Sequence, residues 1–160
     1  FDATVAKRVR EKPPRGSGAL PYVIMALRVL AKYKNPSLII ELDGKRIEEK
    51  AFLVAVGNGA YCAGGMHMCP QANLQDGQFD VCIARDLTKP EALINLMRIF
   101  KGKHIHHPKI SYLRARHVRI LGEQVPLYAD GEPLGNIPVE MSLEPQSLTV
   151  LAPPLNSKTT

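Results

Sequence analysis

Three Asp-Gly pairs, Asp43-Gly44, Asp76-Gly77 and Asp130-Gly131, punctuate this chain, and the short apolar runs between them constrain its fold more than any other feature. Asp-Gly is a favoured sequence for a two-residue hairpin turn, because its left-handed backbone suits these residues. The runs at 37–42, 51–56, 79–84, 117–121, 139–143 and 148–151 read as strands separated by Asp-Gly, Pro and Gly. In VEMSLE, Val139, Met141 and Leu143 alternate with Glu140, Ser142 and Glu144, the pattern of a strand with one buried and one wet face.

Two stretches carry helical spacing instead. GSGALPYVIMALRVLAKYKNPS offers Ser17 as a cap, sets Tyr22, Met25, Ala26, Val29 and Leu30 on one face, and is stopped by Pro36. A second helix is predicted from 89 to about 101, with Pro90 in its first turn, Leu93, Leu96, Met97 and Phe100 at helical spacing, and Gly102 as terminator. Strands at hairpin spacing with about two helices predict a mainly β (α+β) fold, a two-sheet antiparallel β-sandwich. The domain is expected to span 1–155, followed by a frayed polar tail at 156–160, with a mobile Pro- and Gly-rich loop at 10–16 before the first helix.

At 160 residues and 45% apolar content, one domain with its own core is expected. The chain opens on Phe1-Asp2-Ala3 without a signal-peptide pattern, which reads as a fragment of something longer. Charged residues interrupt every apolar run before the roughly 18 residues needed to cross a bilayer, so a soluble protein is expected. Cys62, Cys69 and Cys82 are an odd number without a CxxC pair, which fits a reducing, cytoplasmic compartment. Twenty-one Lys and Arg against fifteen Asp and Glu give a net charge of +6, with much of the excess at 7–15 and 101–109. That sign draws a chain toward phosphates, anionic lipid or nucleic acid without choosing among them.

Of the candidate sites, Asp43-Gly44 reads as a plain hairpin turn. Asn73 and Asp76 offer hard oxygen ligands for Mg²⁺ or Ca²⁺, but Asx turns use the same residues. VGNGAYCAGGMHMCPQA leaves a strand for a glycine-rich loop yet lacks the context of a phosphate-binding loop. His104 and His106 would share one face of a strand, but no Cys or carboxylate stands nearby to complete a metal site, and GKHIHHPKI reads as an exposed basic loop. Asp130 on its turn is suited to act as a general base, with Glu132 positioned to hold a metal through water; a simple turn explains the same residues.

The order of these pieces carries more than any one of them. FDATVA, the helix ALPYVIMALRVLAKY, the block VGNGAYCAGGMHMCPQANLQDGQFDV, GKHIHHPKI, YADGE and the final SLTVLAP together resemble the C-terminal domain of the diacylglycerol kinase and sphingosine kinase family of lipid kinases, the bacterial members above all. The resemblance covers nearly the whole chain. It implies a second-half β-sandwich whose N-terminal nucleotide-binding domain, with its GGDGT-type loop, is absent, so the fragment alone should transfer no phosphate. It further implies that Asp130 accepts the lipid hydroxyl proton, that Glu132 organises ATP and Mg²⁺, and that Asp76 is a structural metal ligand with Asn73 and Gln78 as companions. Some bacterial members carry Lys and Tyr at those two companion positions.

The expected partners are a lipid lying against the apolar sandwich interior, an anionic membrane surface reached peripherally, the missing domain and a homodimer, without nucleic acid. Two alternatives fit the same sequence: a kinase of a nonlipid hydroxyl, as in the NAD kinases, and a noncatalytic lipid-binding β-sandwich.

Overall fold

The computed structural model describes residues 1–13, 20–62 and 65–151. The elements run α1 (Asp2–Glu11), α2 (Leu20–Lys32), β1 (Ser37–Leu42), β2 (Lys45–Lys50), β3 (Leu53–Gly57), β4 (Phe79–Ala84), α3 (Lys89–Ile99), a 3₁₀ turn (Lys103–His106), β5 (Ile110–Ala115), β6 (His117–Gly122), β7 (Pro126–Ala129), β8 (Glu132–Asn136) and β9 (Val139–Ser142). Strands pair antiparallel in the order β2-β1-β6-β9 in one sheet and β3-β4-β5 in a second, with β7-β8 as a separate ribbon.

The alternation in SLIIEL buries Leu38, Ile40 and Leu42, and the register sets Ile40 opposite Ile120 and Leu42 opposite Val118 of β6. Val81 and Ile83 of β4, with Ala115 of β5, close the same core from the other sheet. Burial stabilises each such aliphatic side chain by about 1.5–3 kcal/mol, which holds the two sheets face to face. The two-sheet sandwich expected from the sequence is thus present, with three α-helices rather than about two.

FDVCIA in β4 is buried at five of its six positions, since helices and the loop after β3 cover the face turned away from the sandwich. Phe52, Ala84, Leu87 and Ala92 pack there with Leu30 and Tyr33, and Met66, Met68, Cys69 and Ile99 pack with Ala55 and Tyr112. The rings of Phe1, Tyr33 and Phe52 meet at centroid distances of 4.7 to 5.6 Å within this layer.

Several elements depart from the sequence expectation. Arg10 and Glu11 end helix α1 instead of opening a loop, and α1 buries only Val5 while packing against α2 and β7. Residues 148–150 form no strand, and Leu148, Val150 and Leu151 are exposed. Ser17, the side chain of Tyr22 and the tail at 156–160 lie outside the described residues. Helix α3 starts as expected, on a capping box in which the Thr88 amide donates to Glu91 Oε2 at 2.7 Å. Its end also agrees: Gly102 has φ +63°, and an added Cβ would lie 2.9 Å from both His67 Nδ1 and Pro70 Cβ.

The histidine segment is the clearest correction. His104 and His106 sit on the 3₁₀ turn rather than a strand, and His104 is only 2% exposed, its Nε2 donating to the Met68 carbonyl at 3.1 Å. Burial, opposed by that hydrogen bond and helped by neighbouring His67 and His106, holds its pKa below the ordinary imidazole value. Unfolding therefore takes up a proton as the pH falls below the ordinary imidazole range, and stability is lost there and retained above it. His104→Phe is expected to flatten the fall in melting temperature between about pH 7.5 and about pH 5; the same fall in both proteins would assign it to other groups.

Candidate functional site

The β7–β8 hairpin closes at Ala129↔Glu132 with Asp130 at φ +49° and Gly131 at φ +87°. Both turn residues are left-handed, the backbone of a type I′ turn, which explains the Asp-Gly sequence locally. Asp130 is exposed, and no described residue hydrogen-bonds or ion-pairs with its carboxylate. Glu132 is also exposed and lies 3.6 Å from Arg10 Nη1 of α1, which ties the ribbon to the helix that packs on β7.

The Asp43-Gly44 turn offers a contrast. It closes the β1–β2 hairpin as expected, but its carboxylate also accepts the amides of Arg116 at 3.1 Å and His117 at 2.8 Å, bracing the corner between β5 and β6. Of these two hairpin carboxylates, the one at Asp43 is engaged by backbone amides and the one at Asp130 has no hydrogen-bond or ion-pair partner among the described residues.

Asn73, Asp76 and Gln78 share the loop that leads into β4. Asn73 Oδ1 accepts the Gln75 amide and Asp76 Oδ1 accepts the Gln78 amide, each at 3.0 Å, so both side chains make Asx turns. Asp76 Oδ2 lies 3.9 Å from Arg114 Nη1. The same guanidinium reaches Asp80 Oδ1 at 3.5 Å through Nε and donates to the Gln71 carbonyl at 3.1 Å through Nη2. Asp80 is fully buried in β4. Tyr112 accepts the Gln71 amide at 3.1 Å, and burial, with the neighbouring Asp80 carboxylate, pushes its phenol well above the ordinary value.

Among the described residues no cluster of three His, Cys, Asp or Glu side chains is arranged to hold a metal. One carboxylate with amide and carbonyl oxygens has the chemistry a hard cation accepts, and Arg114 supplies positive charge at the same turn. Asp80, Tyr112 and Arg114 are the residues that sequence reasoning missed. The available signal was Asp80 itself, an acid inside the apolar run FDVCIA.

The glycine-rich stretch after β3 works by packing. An added Cβ on Gly57 would lie 2.8 Å from Cys69 Sγ, and Cys69 Sγ donates to the Asp80 carbonyl at 3.5 Å. Cys62, Cys69 and Cys82 are free thiols, and burial pushes Cys69 and Cys82 up to about 12.

The apolar space expected inside the sandwich is filled by Ile40, Val81, Ile83 and Val118. Between β3, α2 and α3 lies a cavity of about 180 Å³ lined by Leu30, Tyr33, Phe52 and Leu87 with Asn35 and Lys89. Ligand pockets usually span about 300–1,000 Å³, so this one is smaller than a two-chain lipid needs.

The family described as the YegS C-terminal NAD kinase beta sandwich-like domain matches residues 1–152. A diacylglycerol kinase of Mycobacterium tuberculosis (strain ATCC 25618 / H37Rv) is 32% identical over 155 residues, covering 96% of this chain and 50% of that protein. A diacylglycerol kinase of Staphylococcus carnosus (strain TM300) is 31% identical over 137 residues, covering 85% of this chain and 45% of that one. The chain thus spans about half the length of these curated relatives. A crystal structure of a diacylglycerol kinase from Bacillus anthracis str. Sterne has the same fold at a TM-score of 0.59 and 24% identity, over 75% of this chain and 42% of the other. No helix of the described residues is long and apolar enough to cross a membrane.

Proposed function

Because the chain belongs to the YegS-type C-terminal NAD kinase beta sandwich-like domains, the C-terminal halves of diacylglycerol kinase-like lipid kinases, we propose that it completes an ATP-dependent kinase for diacylglycerol or a related lipid alcohol. The observation that carries this reading is the unpartnered Asp130 carboxylate, held by a two-residue turn that fixes its backbone. In the reaction the lipid hydroxyl oxygen bonds to the γ-phosphorus of ATP while the bond to the β,γ-bridging oxygen breaks. The hydroxyl proton passes to Asp130 and ADP leaves. Phosphoryl transfer depends chiefly on positioning and charge neutralisation, so one turn carboxylate is a sufficient contribution from this half.

Glu132, beside the base and within reach of Arg10, would orient the nucleotide end of the site. Mg²⁺, when bound, supplies charge neutralisation at the phosphates, and Asp76 with Asn73 and Gln78 would hold a structural cation. The nucleotide loop comes from the preceding half, so this chain alone is inactive. On this reading the enzyme works in the cytoplasm, against a membrane surface.

The test is ATP-dependent phosphorylation by the full-length protein of diacylglycerol, ceramide, a sphingoid base and NAD in mixed micelles. Phosphatidic acid from diacylglycerol is the expected product. Phosphorylation of NAD alone would overturn the lipid assignment, and phosphorylation of none would overturn the kinase.

A further inference from the structure

We propose that α3 and the 3₁₀ turn behind it form the face by which this domain rests on an anionic lipid bilayer, an inference that rests on the lipid-kinase reading and names the surface that reading requires. Helix α3 buries Ala92, Asn95 and Ile99 and leaves Leu93, Ile94, Met97 and Phe100 exposed, Met97 to 70%. Leu93, Met97 and Phe100 follow one another at helical spacing, so the exposed side is a continuous apolar stripe.

Exposed Arg98, Lys101 and Lys103 stand at the end of that stripe, and none makes an ion pair among the described residues. The only carboxylate on the helix, Glu91, is withdrawn: its Oε2 lies 2.8 Å from Lys109 Nζ and accepts from the Thr88 amide and hydroxyl as well. Between Leu87 and Gly122 the sequence holds eight Lys and Arg and one acid. Helix α2 continues the pattern, with Val23, Ile24 and Leu27 exposed and no acid in its length, and Lys89 at the head of α3 donates to the Ala31 carbonyl near its end.

An apolar stripe edged by unpaired cations is what an anionic bilayer surface binds, with the apolar side chains at the acyl boundary and the Lys and Arg heads among the lipid phosphates. Arg8 and Arg10 of α1 are less suited to this, since Arg8 lies 3.5 Å from Glu11 and Arg10 lies 3.6 Å from Glu132.

The experiment is flotation of the full-length protein with phosphatidylcholine vesicles containing about one third phosphatidylglycerol, and with pure phosphatidylcholine. Met97→Asp/Phe100→Asp and Lys101→Glu/Lys103→Glu are compared with Lys45→Glu on the far sheet. Each α3 double variant is expected to lose binding to the anionic vesicles by about tenfold or more, while Lys45→Glu and wild type bind alike and high salt weakens both. Melting temperature and phosphorylation of a water-soluble short-chain diacylglycerol should be unchanged in all variants.

Equal vesicle binding by wild type and the α3 variants would overturn the docking face and leave the kinase reading standing. Binding that depends on α3 in a protein that phosphorylates no lipid would do the reverse. A wild type that ignores vesicles, with α3 variants that melt early, would show that another part of the longer protein covers the stripe, and would overturn the proposal.

Discussion

Asp130→Asn in the full-length protein is expected to lower lipid phosphorylation by about a hundredfold or more, the usual contribution of a general base, with the melting temperature unchanged. Asn is the informative replacement. It tolerates the left-handed φ of +49° that this turn imposes, whereas Ala would add backbone strain to the loss of the carboxylate. The exposed side chain makes no hydrogen bond or ion pair among the described residues, so an unchanged melting temperature would assign a drop in rate to the chemistry. A variant within about threefold of wild type would remove Asp130 from the chemistry and leave it as the first residue of a turn.

The second large effect concerns stability. Arg114→Met is expected to destabilise the domain by on the order of 3 kcal/mol, since it leaves the fully buried Asp80 carboxylate without its cation. It should also loosen the loop that carries Asn73 and Asp76, because the same guanidinium holds the Gln71 carbonyl. Adding Asp80→Asn to that variant removes the stranded charge and should recover most of the loss. Urea unfolding of the four proteins of this cycle makes the measurement. A cost below about 0.5 kcal/mol for the single change, as for an ordinary exposed ion pair, would show that Asp80 does not depend on Arg114.

How far these features could be read beforehand depends on where the signal resides. The bounds of β1 and β4, and the start of α3, agree with the sequence because SLIIEL, FDVCIA and the Thr88-to-Glu91 cap carry local patterns strong enough to decide the backbone. KRIEEK became β2 with one apolar residue in six, because pairing with β1 across an Asp-Gly turn supplies what its own pattern lacks. The ribbon β7–β8 holds Pro126, Pro133 and Gly135, residues that ordinarily argue against strands, and survives as a short two-stranded hairpin with a bulge near Leu127. Helix α1 has too few apolar residues to announce itself, and its place depends on α2 and β7.

The carboxylate turn was legible from its composition and its place in the motif order. Arg114 was not, since nothing local says that a charge on β5 will meet two acids from the preceding loop and strand. The burial of His104 was hidden for the same reason: only the packing of the loop around Met68 takes that ring out of water.

Strand β4 is one wall shared by two rooms. Val81 and Ile83 face the sandwich while Cys82 and Ala84 face the helical layer, and close-packed interiors transmit displacement instead of absorbing it. Anything that levers α2 or α3 outward, whether a lipid chain widening the small cavity or a bilayer pulling on the apolar stripe, therefore pushes against a partition that the sandwich cannot move without disturbing its own packing. Among the described residues, opening the helical side is resisted by the sandwich that supports it.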